Sequence, residues 1–257
     1  MTIPRPKVSI ITPSYNQGQF IEATIQSVLN QTYPNIEYIV VDGNSTDRTM
    51  GVVDQYREHI DVVIHEKDKG QSDAINKGFR LATGELVGWV NSDDVLYPDC
   101  VARMVQCHQR NADGAVYYGS VLDRINAAGK RTATHSIRIP DRNYLLNYNY
   151  DIIQPGSFYP TSLVQQVGYL NERIHYCMDL DLWLRLLTHG PIYSYADEPM
   201  AGFRIWAESK TSTGGHRFLN DIISVLDHHG ADTYARTLLR ARYQGFRKHV
   251  KARLLFV

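Results

Sequence analysis

The chain has 257 residues, 43% of them hydrophobic, and 27 basic side chains balance 27 acidic ones. That length supports one sizeable α/β core that folds on its own, and the even charge gives the body no basic surplus for nucleic acid. No apolar run approaches the ~18 residues of a spanning helix. The polar start at Met1–Lys7 has no signal-peptide pattern, and Cys100, Cys107 and Cys177 lack CxxC spacing, so the expectation is a cytoplasmic body with cysteines used for packing.

In chain order, Val8–Ile11 is a β-branched run read as a buried strand that Pro13 marks off. Phe20, Ile21, Ile25, Val28 and Leu29 then recur at helical spacing until Tyr33-Pro34-Asn35. Tyr38–Val41 is a second strand, followed by a helix that turns Met50, Val53, Tyr56 and Ile60 inward. Val62–Ile64 is a third strand, Ser72–Thr83 a helix, and Leu86–Val90 a fourth strand running into Asn91-Ser92-Asp93-Asp94. Beyond Asp99 the pattern predicts a helix over Val101–Arg110, a strand over Val116–Leu122, a loop or short helix over Arg138–Tyr150, and a helix over Asp179–Leu187 stopped by Gly190-Pro191. Alternating strands and helices predict a Rossmann-like, mostly parallel sheet flanked by helices, with ligands at the carboxyl ends of the strands.

Three polar clusters fall at those ends: Thr12–Asn16, Asp42–Asn44 and Asn91–Asp94. Asp93 and Asp94 suit a hard divalent cation that shares its remaining shell with phosphate and water, and they equally suit a polar turn. Asp42 can accept hydrogen bonds from a ribose or base, but Asp-Gly is also a turn signature. Asp179 and Asp181 both open a helix, where a carboxylate can cap free N–H groups or serve as a general base. Tyr144, Tyr148 and Tyr150 read either as a sugar-stacking wall or as ordinary packing. The chain lacks GxGxxG after the first strand, GxxxxGK[ST], GxSxG and HExxH, so dinucleotide, P-loop, hydrolase and zincin chemistries lose their sequence support.

Several blocks occur together in a fixed order: Thr12–Asn16, Ser27–Pro34, Val41–Asp47, Lys69–Gly78, Ala82–Glu85, Trp89–Asp94, and further on Gln154–Phe158, Val167–Glu172, Met178–Leu186 and Phe203-Arg204. As an ordered set they resemble family 2 glycosyltransferases. The resemblance implies a GT-A fold with a nucleotide-sugar-binding half (1–98), an acceptor-binding half (99–215) and a C-terminal helical, basic extension (216–257). It implies an inverting, non-processive enzyme that moves a sugar from a nucleotide-diphosphate sugar to an acceptor hydroxyl, in bacterial-type cell-surface glycan synthesis on a glycan or lipid-linked acceptor. By the same resemblance Thr12, Pro13, Tyr15, Asp42, Asn44, Asn76, Asn91, Ser92 and Asp93 form the nucleotide-sugar site. Asp93 is then the ligand to Mn²⁺ or Mg²⁺, Asp179 is the base, and Asp94 and Arg204 are possible additions. Asn91 stands where the family's DxD motif begins with an acid, Met178 where a glutamate is usual, and Trp206 where many relatives have histidine. A nucleotidyltransferase and a non-catalytic nucleotide-sugar-binding protein are the competing readings.

From Thr233 onward the chain carries seven basic residues and no acidic one. Leu238, Leu239, Tyr243, Phe246, Val250 and Leu254 fall near one helical face, so this tail reads either as a helix resting on anionic lipid or as a solvated terminal helix.

Overall fold

The structure is a computed structural model and describes residues 5–233. The tail reading and its membrane contact lie outside these residues. No helix among the described residues is long and apolar enough to cross a membrane.

The first half alternates β1 (Val8–Ser14), α1 (Ile21–Leu29), β2 (Ile36–Asp42), α2 (Thr49–Val53), β3 (Val62–His65), α3 (Gln71–Leu81) and β4 (Leu86–Trp89). Every residue of β1 and β4 is buried, so burial along these strands does not alternate, and β1 takes Ser9, Thr12 and Ser14 inside along with its apolar side chains. β1 continues through Pro13 to Ser14 and does not stop at the proline. Its last pair with β4 is Ile11 with Trp89, so on that side no ladder bond is asked of the proline nitrogen. The helix expected to carry Met50 through Ile60 is α-helical only over Thr49–Val53 and tightens into a 3-10 turn at Asp54–His59.

The second half adds β5 (Val95–Leu96), α4 (Cys100–Arg110), β6 (Val116–Gly119), β7 (Val121–Ile125), β8 (Arg131–Ser136), α5 (Arg142–Asn147), β9 (Ser157–Pro160), α6 (Thr161–Gln166), α7 (Met178–Leu186), β10 (Ile192–Tyr195), β11 (Ala201–Arg204), α8 (Lys210–Thr213) and α9 (Gly215–His228). A seven-stranded sheet has the order β10-β6-β9-β4-β1-β2-β3, and a four-stranded one the order β5-β11-β7-β8. In the larger sheet β9 alone runs against its neighbours. It enters beside β4 where Gly88 leaves room, since a Cβ there would stand 2.5 Å from the Ser157 carbonyl oxygen.

The single strand expected over Val116–Leu122 is two. The chain leaves the large sheet at Ser120, whose N–H donates to the Tyr195 carbonyl (2.8 Å) and whose carbonyl accepts from Ile137 (2.9 Å), and it joins the small sheet as β7. One hydrophobic core runs through both halves. It includes Ile222, Val225 and Leu226 of α9, so the described start of the expected C-terminal extension packs into the same body. All three cysteines are free, with Cys100 and Cys177 buried and Cys107 half-buried.

Candidate active site

β1, β2 and β4 deliver their C-terminal ends to one edge: Ser14 pairs with Asp42, and the Val90 N–H donates to the Ile11 carbonyl at 2.9 Å. The loops that follow are laced together. Asn16 N–H donates to Ser45 Oγ (2.7 Å), Thr46 N–H to Asn16 Oδ1 (2.9 Å) and Gly18 N–H to Asp47 Oδ2 (2.9 Å). Asn16 and Asn44 take positive φ of 52° and 67°, which asparagine tolerates better than most side chains.

Asp42 is buried, and its carboxylate accepts from Ser45 N–H (2.8 Å), Ser45 Oγ (2.5 Å) and His65 Nδ1 (2.7 Å). Of the Thr12-Pro13-Tyr15 set, only Tyr15 presents its side chain, at 60% exposure. Thr12 is turned into the core, where its hydroxyl meets that of Tyr38 at 3.0 Å, so it can offer a ligand only its backbone. Asn76 is committed elsewhere. Its amide donates to the Leu170 carbonyl (3.0 Å) and to Glu172 Oε1 (3.2 Å) and accepts the Leu170 N–H (2.9 Å), which staples α3 to the segment before α7. Asn44 is exposed and Ser92 buried. The sequence reading passed over Ser14, whose buried hydroxyl beside Asp42 has no hydrogen-bond partner among the described residues.

At the end of β4 the chain turns through Asn91–Asp94 and meets β11. Asp94 is fully buried and accepts from the Arg204 N–H (2.8 Å) and Asn91 Nδ2 (3.2 Å). Arg204 is buried as well. Its Nε donates to the Asp93 carbonyl (2.6 Å), its Nη1 to the carbonyls of Asn126 and Ala127 (both 2.9 Å), and its guanidinium lies 4.8 Å above the Phe20 ring. Asp93 Oδ2 accepts from Trp206 Nε1 at 3.0 Å, and its other oxygen has no side-chain partner among the described residues. Burial raises the Asp93 carboxyl against the pull of Trp206 and Arg204. Burial and the neighbouring Asp93 together hold Asp94 well above the ordinary range.

The third part of the site comes from α7. Its N-cap is Cys177, with no side-chain cap, and Asp179 Oδ1 accepts the N–H of Leu180 (2.9 Å). Asp181, two residues on, is buried and fully engaged by Arg185 (2.8 Å) and His229 (2.9 Å), a structural tie between α7 and α9. Burial pushes the Asp179 carboxyl up to about 6, although the Leu180 N–H and the ammonium of Lys210 act in the opposite direction. Lys210 is itself pushed down to about 8 by burial, against the attraction of Asp179 and Asp221.

Lys210 also joins the parts. Its ammonium donates to Gln71 Oε1 (2.9 Å) and to the His175 carbonyl (2.6 Å), and Gln71 Nε2 donates in turn to Asn91 Oδ1 (2.8 Å). The corner after β4 and the start of α7 are thereby linked by one polar chain, with Asp179 in the field of its cation. Neither Gln71 nor Lys210 was singled out from the sequence. Gln71 stood inside a recognised block, but no spacing signal pairs it with a lysine in α8. The tyrosines expected as a wall behave differently from one another: the Tyr144 and Tyr148 rings stack with centroids 6.2 Å apart and Tyr148 is exposed, whereas Tyr144 and Tyr150 pack against the core.

This open, mostly parallel sheet with a polar site at its strand ends is a GT-A fold. The mannosyltransferase PcManGT from Pyrobaculum calidifontis, in complex with GDP-Man and Mn²⁺, superposes with a TM-score of 0.70 at 18% identity, over 93% of this chain and 70% of that one. Residues 9–173 match the model of glycosyl transferase family 2, and the chain belongs to that family. An uncharacterized glycosyltransferase of Rickettsia prowazekii is 30% identical over 81% of this chain and 67% of its own length. TuaG of Bacillus subtilis, described as a putative teichuronic acid biosynthesis glycosyltransferase, is 41% identical over 41% of this chain and 43% of its own length.

Proposed function

We propose that this glycosyltransferase moves a sugar from a nucleotide-diphosphate donor to an acceptor hydroxyl in a single in-line displacement, which inverts the anomeric carbon, and that it acts in cell-surface glycan synthesis. Asp179 takes the acceptor proton. The donor's nucleotide lies along the edge formed by Tyr15, Asp42, Asn44 and the loop after β4, and its diphosphate lies towards Asp93. The observation that carries this reading is the linkage through Lys210: a carboxyl held up to about 6 lies in the field of a cation that is hydrogen-bonded, through Gln71, to the Asn91 corner. A base poised near neutrality takes up a proton more readily than an ordinary aspartate and is still ionised at pH 7.

The donor set fits Mn²⁺ or Mg²⁺ shared with a diphosphate. Asp94 and Asn91 Oδ1 are already engaged, which leaves the Asp93 oxygen that has no side-chain partner among the described residues as the protein's ligand. Among the described residues no group of three His, Cys, Asp or Glu side chains forms a cage, so diphosphate and water would supply the remaining ligands. When bound, such an ion neutralises charge gathering on the departing diphosphate. Trp206 orients the Asp93 carboxylate, and Arg204 fixes the backbone beneath it.

The test combines two measurements. A thermal-shift screen of UDP-, GDP- and dTDP-sugars, with and without Mn²⁺, should raise the melting temperature for one base. With that donor, Asp179→Asn should bind normally and lose ~10²- to 10⁴-fold in transfer. Undiminished transfer by the variant removes Asp179 from the mechanism.

A further inference from the structure

An open groove of about 450 Å³ is lined by His175 and Tyr176, which precede Asp179 by four and three residues, and by Arg217, Asn220 and Asp221. It is formed by the segment before α7 and the first turns of α9. Lys210 connects it to the proposed base: the ammonium that attracts Asp179 donates to the His175 carbonyl and lies 5.9 Å from the centre of the Tyr176 ring. An aromatic face with planar polar side chains around it suits a sugar ring, and the volume lies in the range of small-ligand sites.

The charge of the groove narrows the ligand further. Arg217 and Asp221 are four residues apart on α9, a spacing at which guanidinium and carboxylate ordinarily pair. Here they do not. Asp221 Oδ2 accepts the backbone N–H groups of His175 (3.0 Å) and Tyr176 (2.9 Å), and Arg217, exposed on the groove, has no ion-pair partner among the described residues. Burial and the nearby Lys210 hold the His175 imidazole below its ordinary value, so at neutral pH it offers hydrogen bonds and no charge. The groove therefore holds a guanidinium that is not neutralised by a contact ion pair, because the Asp221 carboxylate on the same groove is tied through Oδ2 to the backbone, and a second cation, Lys210, bonds its His175 edge.

We infer that this groove is the acceptor subsite and that it takes a glycosyl or polyol unit bearing an anionic group, a carboxylate or a phosphate, which Arg217 grips bidentately while a neighbouring hydroxyl is presented to Asp179. The acceptor role rests on the proposed reading of Asp179 as the base; the anion preference rests on the groove alone.

The test titrates the full chain by ligand-observed NMR with methyl glucuronide against methyl glucoside, and with glycerol 3-phosphate against glycerol. At least one anionic probe should bind about tenfold more tightly than its neutral counterpart, equivalent to ~1.4 kcal/mol, and which pair shows the preference separates carboxylate from phosphate. Arg217→Gln should erase the preference and Arg217→Lys should keep part of it, with the donor-induced thermal shift unchanged in both. Equal binding of charged and neutral probes by the wild type, or a preference that survives Arg217→Gln, overturns the inference. Failure of the base assignment reads differently: Asp179→Asn would then transfer normally while the Arg217-dependent preference persisted.

Discussion

Replacing Asp179 by asparagine should make the protein more stable at the pH where it works. The carboxyl is held at about 6 instead of its ordinary 3.8, chiefly by burial. Between those two values the folded state binds more protons than the unfolded state, so stability falls as pH rises through that window and the whole penalty is present above about pH 6. At ~1.36 kcal/mol for each pK unit, the penalty reaches about 3 kcal/mol at pH 8. Asparagine keeps an Oδ1 acceptor for the Leu180 N–H and removes the charge. About 3 kcal/mol is therefore a ceiling on the gain, because Lys210 loses its attraction to the carboxylate and sheds its proton more readily. Urea unfolding of wild type and variant at pH 8, 6 and 4 measures the effect. The gain should be largest at pH 8, shrink through pH 6 and vanish near pH 4. A variant no more stable than wild type at pH 8, or one whose gain does not depend on pH, refutes the account of a carboxylate ionised at the expense of folding.

The same electrostatics predict that kcat/KM falls on the acid side as pH drops through about 6, where Asp179 takes up a proton. Among the described residues the charged or titratable groups that interact with it are Lys210, Tyr159 and Cys177, and Lys210→Met should move that acid limb to higher pH; an unmoved limb would detach the lysine from Asp179. Asp181 should behave oppositely to its near neighbour. Burial would raise its carboxyl, but His229 and Arg185 outweigh burial and lower it, so its stabilisation is present above the ordinary carboxylate range and is lost as pH falls through the lowered value. Asp181→Asn should cost ~3–5 kcal/mol in unfolding experiments at pH 7, since it leaves Arg185 and His229 without their carboxylate. Asp93→Asn should abolish the Mn²⁺-dependent part of the donor thermal shift, and a retained Mn²⁺ response would move the metal elsewhere. Asn76→Ala leaves the Leu170 N–H and carbonyl unpaired in a buried position, at about 1–3 kcal/mol each. Its donor thermal shift should equal that of wild type, and a lost shift with intact stability would assign Asn76 to the nucleotide-sugar site.

The first half was readable because β1, β2 and β4 are almost wholly buried. Val8–Ile11, Tyr38–Val41 and Leu86–Val90 are mostly apolar runs, interrupted by Ser9 and Gly88 and each closed by polar residues, and a parallel sheet follows from the helices between them. β9 was not readable. Ser157–Pro160 is short and ends in proline, and its place in the sheet depends on Gly88 and on pairing with strands far away in sequence. The break at Ser120 was hidden for a related reason: Val116–Leu122 looks like one strand until Tyr195 and Ile137 bond Ser120 within it. At the site, residue type pointed to Asp93 and Asp179 but could not tell Asp179 from Asp181. That difference lies in partners from elsewhere: His229 and Arg185 for one, a desolvated lysine for the other.

The amide at position 91 makes physical sense within this arrangement. Asp93 and Asp94 are both already raised by burial, and Asp94 further by its neighbour, so a third carboxylate 3.2 Å from Asp94 would add repulsion where ionisation is hardest. Asn91 instead donates to Asp94 and accepts from Gln71. Gln71 is thus free to present its carbonyl oxygen to Lys210, and a cation is held next to Asp179 by neutral acceptors at 2.9 Å and 2.6 Å. Had Lys210 been held by a carboxylate at that distance, its charge would be largely cancelled before it reached Asp179. Held by an amide and a peptide carbonyl, it keeps the field that opposes the effect of burial on the Asp179 carboxylate. The neutral residue at position 91 is therefore coupled to Asp179 by a hydrogen-bonded chain through Gln71 to Lys210, whose charge then acts on the Asp179 carboxyl through space.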